Sequence, residues 1–160
     1  MTTSQNAEIK NQLRVTDIIF YSLLVGLLLF FVIVMVLIQD KVQKTDNDLN
    51  MIFTFVVPLF GLVMMFLSRM IYNQMISKYE SGDSLVPKIS YYKTVKIISW
   101  AMIESSCLLS LVATMLTSNY LYVAVFIFLF GYFFLMKPSK ESLIRDMHLN
   151  SEESDLILKS

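Results

Sequence analysis

The sequence predicts an all-α, integral membrane four-helix bundle, and three observations predict it. Of 160 residues, 56% are hydrophobic and 16% charged, with a mean hydropathy of +0.61, a balance unlike that of ordinary soluble domains. The apolar residues are gathered into uncharged runs of about twenty, the length that crosses a hydrocarbon core as a helix. The lysines and arginines fall almost wholly to one side of those runs.

Residues 1–16 form an N-terminal arm rich in Ser, Thr, Asn and Gln, expected to be flexible, with Ile9, Leu13 and Val15 able to rest on a bilayer surface. A first span follows over about residues 17–39, in which Ile18 to Ile38 carries no charge. No small-x-small cleavage site follows it, so it reads as a retained anchor rather than a signal peptide. Ser22 and Gly26 form a small-xxx-small pair there, a pattern that admits a close helix neighbour.

The second span, about residues 50–72, is entered from the Asn/Asp-rich stretch Thr45 to Asn50 and closed by Arg69, Asn73 and Gln74. Pro58 within it withdraws a backbone donor from the Thr54 carbonyl, which predicts a kink or a water site. Ile97 to Met136 holds the third and fourth spans, about residues 94–117 and 120–136, with Glu104 as its single charge. Thr117-Ser118-Asn119 breaks this stretch into a tight antiparallel hairpin and sets Tyr120 and Tyr122 at an interface.

Residues 137–160 make a tail. Lys137-Pro138 ends the fourth helix, and Ser139 can cap a short helix with Leu143, Ile144 and Met147 on one stripe, expected to lie in the membrane interface. Ser151 can cap a second short helix whose first turn holds Glu152 and Glu153. Only Lys41 and Lys44 lie between the first two spans and no basic residue lies between the last two, whereas eleven lie on the other side. The excess of basic residues places both termini and the middle loop in the cytoplasm.

Thirteen basic residues balance thirteen acidic ones, so nothing in the bulk charge favours nucleic acid. Cys107 and His148 are the only residues of their types, which disfavours a disulfide, a zinc site or a haem within one chain, and no metal or other cofactor is expected. Four glycines leave no phosphate-cradling loop, and only Glu104, Ser105 and Tyr132 can be gathered at one depth. Enzyme chemistry is not expected.

Glu104 is the residue whose position requires an explanation, roughly 10 to 15 Å along the helix from the cytoplasmic boundary. At that depth a carboxylate is either protonated or satisfied by a cation or hydrogen bonds, which points the side chain into the bundle. Tyr132 falls level with Glu104 across the hairpin, and Ser105 adjoins it. Arg69 lies roughly 10 Å nearer the boundary. Two small faces flank Glu104, one of Ser99, Ser106, Ser110 and Ala113, the other of Ala101 and Ser105, and two faces predict two helix neighbours. The first face suits either packing within the chain or a homodimer.

The order Ala101-Met-Ile-Glu104, the Thr117-Ser-Asn turn, Lys137-Pro-Ser-Lys-Glu141 and Asp146-Met-His-Leu149 resembles a family of uncharacterised small four-helix inner-membrane proteins of Bacteroidota, over residues 97–149. The resemblance implies location and fold and carries no activity. The expected partners are the lipid bilayer and another copy or a different subunit of a membrane complex. Two functions follow: a non-enzymatic structural or accessory subunit in which Glu104 is a packing clamp or subunit contact, or a small proton- or cation-coupled transporter in which Glu104 carries the ion.

Overall fold

The computed structural model describes residues 3–39, 47–79 and 85–159, so Lys41, Lys44 and the start of the Asn/Asp-rich stretch lie outside the described residues. The described residues form six helices: α1 (Thr3–Gln39), α2 (Asn47–Ser77), α3 (Leu85–Thr117), α4 (Leu121–Leu135), α5 (Lys140–Asp146) and α6 (Ser151–Lys159). Three of them, α1, α2 and α3, are long and apolar enough to cross a membrane, which makes this a multi-pass membrane protein. The fourth, α4, has 15 residues and reaches that length only together with α5, from which it is bent by 73°.

The central helix is α3, on which α1, α2 and α4 all pack, while α2 and α4 meet each other more sparingly. Half of the apolar stretch of α3 is buried, against 17% of the corresponding stretches of α1 and α2. On one side Trp100, Ile103, Cys107 and Leu111 of α3 meet Phe20, Leu27, Val34 and Ile38 of α1 and Phe126, Leu129 and Phe133 of α4. Phe20 stacks on Phe133 and Phe31 on Phe126, so aromatic side chains bridge α1 to α4. The Trp100 indole donates to the Met136 carbonyl at 3.1 Å, holding the end of α4 against α3 where the chain turns into α5.

Each helix end has a local cause. Asn119 closes the α3–α4 turn: its Oδ1 accepts from the Leu121 N–H at 2.9 Å, and its own N–H donates to Thr117 Oγ1 at 3.3 Å. Ser118 supplies the left-handed residue the turn needs, with φ of 54°. Asn119 Nδ2 also donates to Asn50 Oδ1 at 2.8 Å, and the Tyr122 hydroxyl donates to the Asn50 carbonyl at 2.9 Å. These bonds tie the start of α2 to the hairpin. Tyr122 is therefore fully buried, contrary to its expected interfacial place, and only Tyr120 is exposed. The helix α2 continues through Pro58, beside which lies a cavity of about 330 Å³ lined by apolar side chains.

The largest departure from the sequence reading is at the N terminus. Residues expected to be a flexible arm are the first four turns of α1. Ile9 lies among Leu85, Ile89 and Tyr92 of α3, Leu143 of α5, Met147 after it and Ile157 of α6, with Leu13 packed against them. Ile9, Leu13, Thr16 and Phe20 recur at spacings of four and three, so one helical stripe serves this second core and the apolar domain in turn. The core forms a helical foot beyond the apolar runs, and it buries the stripe of α5 that was expected to lie on the membrane. Ser139 caps α5 by accepting from the Ser142 N–H at 3.1 Å. The cap of α6 is Asn150 rather than Ser151, since Asn150 Oδ1 accepts from the Glu153 N–H at 2.8 Å and Glu153 Oε2 accepts from the Asn150 N–H at 3.1 Å. Lys88 pairs with Glu153 at 2.8 Å and fastens α6 to α3.

Each buried apolar side chain of the foot contributes about 1.5–3 kcal/mol by leaving water, a gain that buried side chains in lipid do not have. The foot should therefore respond strongly to a charge at Ile9, which is 2% exposed between the exposed cleavage residues Lys10 and Arg14 and the α3–α5 surface. Ile9→Asp is expected to open the first turns of α1 to trypsin at Lys10 and Arg14 while the wild type stays protected. Equal cleavage rates in the two proteins would show that the arm is not held by this core.

Candidate functional site

The polar residues of α3 divide into three stripes with different fates. The first is Ser99, Ser106, Ser110 and Ala113, joined by Thr114 and Thr117, all buried. It faces α2: the Ser68 hydroxyl donates to the Ser99 carbonyl at 3.1 Å, and Val57 lies in one cluster with Ala113 and Tyr122. A hydroxyl reaches the backbone of a neighbouring helix only where no large side chain stands between, so this face lets α2 approach α3 closely. Four of its hydroxyls bond within the helix, Ser106 to Met102, Ser110 to Ser106, Thr114 to Ser110 and Thr117 to Ala113, at 2.8 to 3.3 Å. The face thus packs against α2 inside the chain. Ser99 Oγ is buried and has no hydrogen-bond partner among the described residues.

The second stripe holds Glu104. Ala101, Ser105, Leu108 and Leu116 are exposed and mark the outward side of α3, and Glu104 lies half-buried at its edge. Ser105 turns back to donate to the Met102 carbonyl at 2.8 Å. Glu104 has no hydrogen bond or ion pair among the described residues, so the expected bond to Tyr132 or Ser105 is absent. The physical reason is azimuth. Trp100, Ile103, Cys107 and Leu111 occupy the side of α3 that meets α1 and α4, and position 104 falls one step round from them, at the rim. Matching depth along two helices placed Tyr132 level with Glu104 without turning them toward each other.

The small pair on α1 departs from expectation in the same way. Ser22 and Gly26 are exposed, and a Cβ added at Gly26 would meet nothing within 4 Å. The glycine at a helix contact is Gly61 of α2, whose added Cβ would lie 3.2 Å from Leu129 Cδ1.

The third stripe is Lys88, Tyr92 and Lys96, which continues the serine face into the foot. Here Tyr132 and Arg69 do come together, in a cleft of about 330 Å³ with Ser68, Tyr72, Lys96 and Asp146. Tyr72 of α2 donates its hydroxyl to the Asp146 carboxylate, and Tyr92 of α3 shares a hydrogen bond with Ser142 of α5. The Lys96 ammonium lies 4.7 Å from the centre of the Tyr72 ring and 5.3 Å from that of Tyr92, a distance at which a cation is attracted to the ring face. Lys96 is nevertheless only 9% exposed. Arg145 donates to Asp146 at 3.0 Å, and that carboxylate holds the guanidinium charged by raising its pKa further. Three basic side chains and one carboxylate therefore line the cleft.

From the sequence, Lys96, Tyr72 and Asp146 were legible only as boundary residues. The signal that unites two of the α3 members is their helical spacing with the buried serines: 88, 92, 96 and 99 follow one another by four, four and three. Among the described residues no three His, Cys, Asp or Glu side chains gather as metal ligands, Cys107 is buried among apolar groups, and His148 is exposed on the tail. No family model matches the chain, and neither does any curated protein or solved structure.

The assignment of faces has a direct test. Ser99→Ala removes a buried hydroxyl without a partner and should raise stability by about 1 kcal/mol, read by denaturant titration in detergent. Ser99→Leu should cost about 1–3 kcal/mol by forcing α2 away, while Ser105→Leu on the outward side should change little. A larger loss at Ser105 than at Ser99 would reverse the assignment.

Proposed function

We propose that this chain is a non-enzymatic subunit of a membrane complex, crossing an inner membrane four times with both termini in the cytoplasm, and that Glu104 is where it meets another transmembrane helix. The observation that carries this reading is the position of Glu104: a half-buried carboxylate with no partner among the described residues, at the edge of the outward side of α3 beside Ala101 and Ser105. A carboxylate at that depth is costly against lipid, and intramembrane carboxylates face protein or water. Small neighbours leave room for another helix to come close. The buried hydroxyls of the first stripe bond within α3 rather than to Glu104. Glu104 lines none of the cavities at the α2/α4 seam, on the outer face of α1 or beneath α5, whereas an ion carrier needs access to both sides.

Four crossings are supported by the foot. The first turns of α1 and the helices α5 and α6 share one core, so the two ends of the described chain lie on one side. That arrangement favours an even number of crossings, with α4 as the fourth, its 15 residues spanning about 22 Å. The lysines and arginines around that foot favour a cytoplasmic side for it, and the inner membrane rests on the resemblance read in residues 97–149.

The test is a photo-crosslinking residue placed at Leu108, on the Glu104 side, and at Phe55, an exposed α2 position, in the native membrane. A discrete adduct is expected from Leu108 and none from Phe55. Glu104→Gln should keep most of the adduct, because an amide still donates and accepts, whereas Glu104→Leu should lose it about tenfold. Adducts at neither position, together with a proton flux into vesicles that Glu104→Gln abolishes, would replace the subunit reading with the carrier.

A further inference from the structure

We propose that the seam between α2 and α4 is a binding site for an anionic phospholipid, with the phosphate in the cleft of Arg69, Lys96 and Arg145 and an acyl chain in the apolar groove beyond Gly61. The proposal takes the foot as cytoplasmic, as above, and is independent of what Glu104 does.

The basic side chains of the cleft, Arg69, Lys96 and Arg145, outnumber its carboxylates among the described residues. Its one carboxylate, Asp146, already accepts from Tyr72 and Arg145. Lys96 is 9% exposed and meets two aromatic rings, with no hydrogen bond or ion pair to an acceptor among the described residues. Arg69 is exposed at the rim and likewise has none. Asp146 is the one carboxylate near Lys96 among the described residues and is already bonded twice, so the buried ammonium is only partly compensated, and a phosphate, with several acceptor oxygens, suits an ammonium and two guanidinium groups at once. Tyr132 adds a hydroxyl at the wall.

The walls distinguish a lipid from a soluble anion. Leu135 and Met136 line the cleft beside the charges, and Leu135 is 81% exposed. Farther from the foot, the same two helices frame a second cavity of about 330 Å³, lined by Pro58, Gly61 and Leu62 of α2 and Ala124, Phe128 and Leu129 of α4. Both helices lean mainly on α3 and meet each other at Gly61–Leu129 and Asn50–Tyr122, so the two cavities lie along one seam on either side of the Gly61 contact. From Arg69 to Pro58 the helix rises about 16 Å, comparable with the depth of about 15 Å that one acyl chain covers in a leaflet. Charge at the boundary and an apolar trough along the same seam match one amphiphile. Basic pockets between transmembrane helices on the cytoplasmic side recognise such headgroups.

The full chain in a neutral detergent, mixed with phosphatidylglycerol, phosphatidylcholine or glycerol phosphate and examined by native mass spectrometry, tests this. Phosphatidylglycerol should remain bound at least about tenfold more than phosphatidylcholine. The pair Arg69→Gln and Lys96→Gln should lower it by about tenfold or more. Lys137→Gln with Lys140→Gln removes the same charge from the other side of the α4–α5 corner and should leave binding unchanged. Unaltered helical circular dichroism and elution establish that each variant is folded, and Arg69→Gln alone, an exposed change, keeps the test open if the pair is not. Equal retention of the two lipids, equal losses in the two charge pairs, or displacement of the lipid by glycerol phosphate would each overturn the proposal, the last in favour of a soluble phosphate site.

Discussion

The close approach of α2 to α3 is the contact on which the rest of the arrangement depends. Ser68 reaches the Ser99 backbone because small residues occupy positions 99, 106, 110 and 113 on one side of α3. Large residues, Trp100, Ile103 and Leu111, then fill the other side and receive α1 and α4. Within lipid, apolar side chains gain nothing by leaving water, so contact at short range is what remains to hold helices together. A central helix with a small side and a large side meets that constraint for three neighbours at once. It also explains why α2 and α4 need so little direct contact and leave a seam.

The foot is held by different physics. Its core of Ile9, Leu85, Ile89, Leu143, Met147 and Ile157 resembles that of a small soluble domain, closed by the Lys88–Glu153 pair and by the Asn150 cap. Water makes this burial favourable. The two regions are joined through long helices and through the Trp100–Met136 bond, which anchors the corner between α4 and α5. The cationic cleft lies where the two regimes meet, and its members come from α2, α3, α4 and the α5 end. No single element contains it.

How much of this was legible in the sequence depends on whether a feature is local. The hairpin break at Thr117-Ser118-Asn119 and the Ser139 cap are decided by side chains bonding to backbone a few residues away, and both are where the residues indicate. The serine face of α3 was legible as small residues at helical spacing, although its neighbour was not. Tyr122, Gly26 and Glu104 were misplaced for one reason: their environment is set by the direction in which each helix is turned. An aromatic ring after a turn reads as interfacial until Asn50 is brought beside its hydroxyl. A lone glycine reads as a contact until the contact is found at Gly61.

By itself the sequence determined an all-helical, multi-pass membrane protein, because hydrophobic run length and charge placement act through the solvent and need no knowledge of neighbours. It determined where helices α4, α5 and α6 begin to within a residue, through turn and capping chemistry. Only the tertiary structure decided that the N-terminal arm is the continuation of α1, since Ile9 has no reason to be helical and buried until α3, α5 and α6 surround it. Only the tertiary structure set Glu104 at the rim of α3 and brought Arg69, Tyr132 and Lys96 into one cleft. Depth along a helix is a count of residues, while azimuth is settled by the packing of every helix against the others.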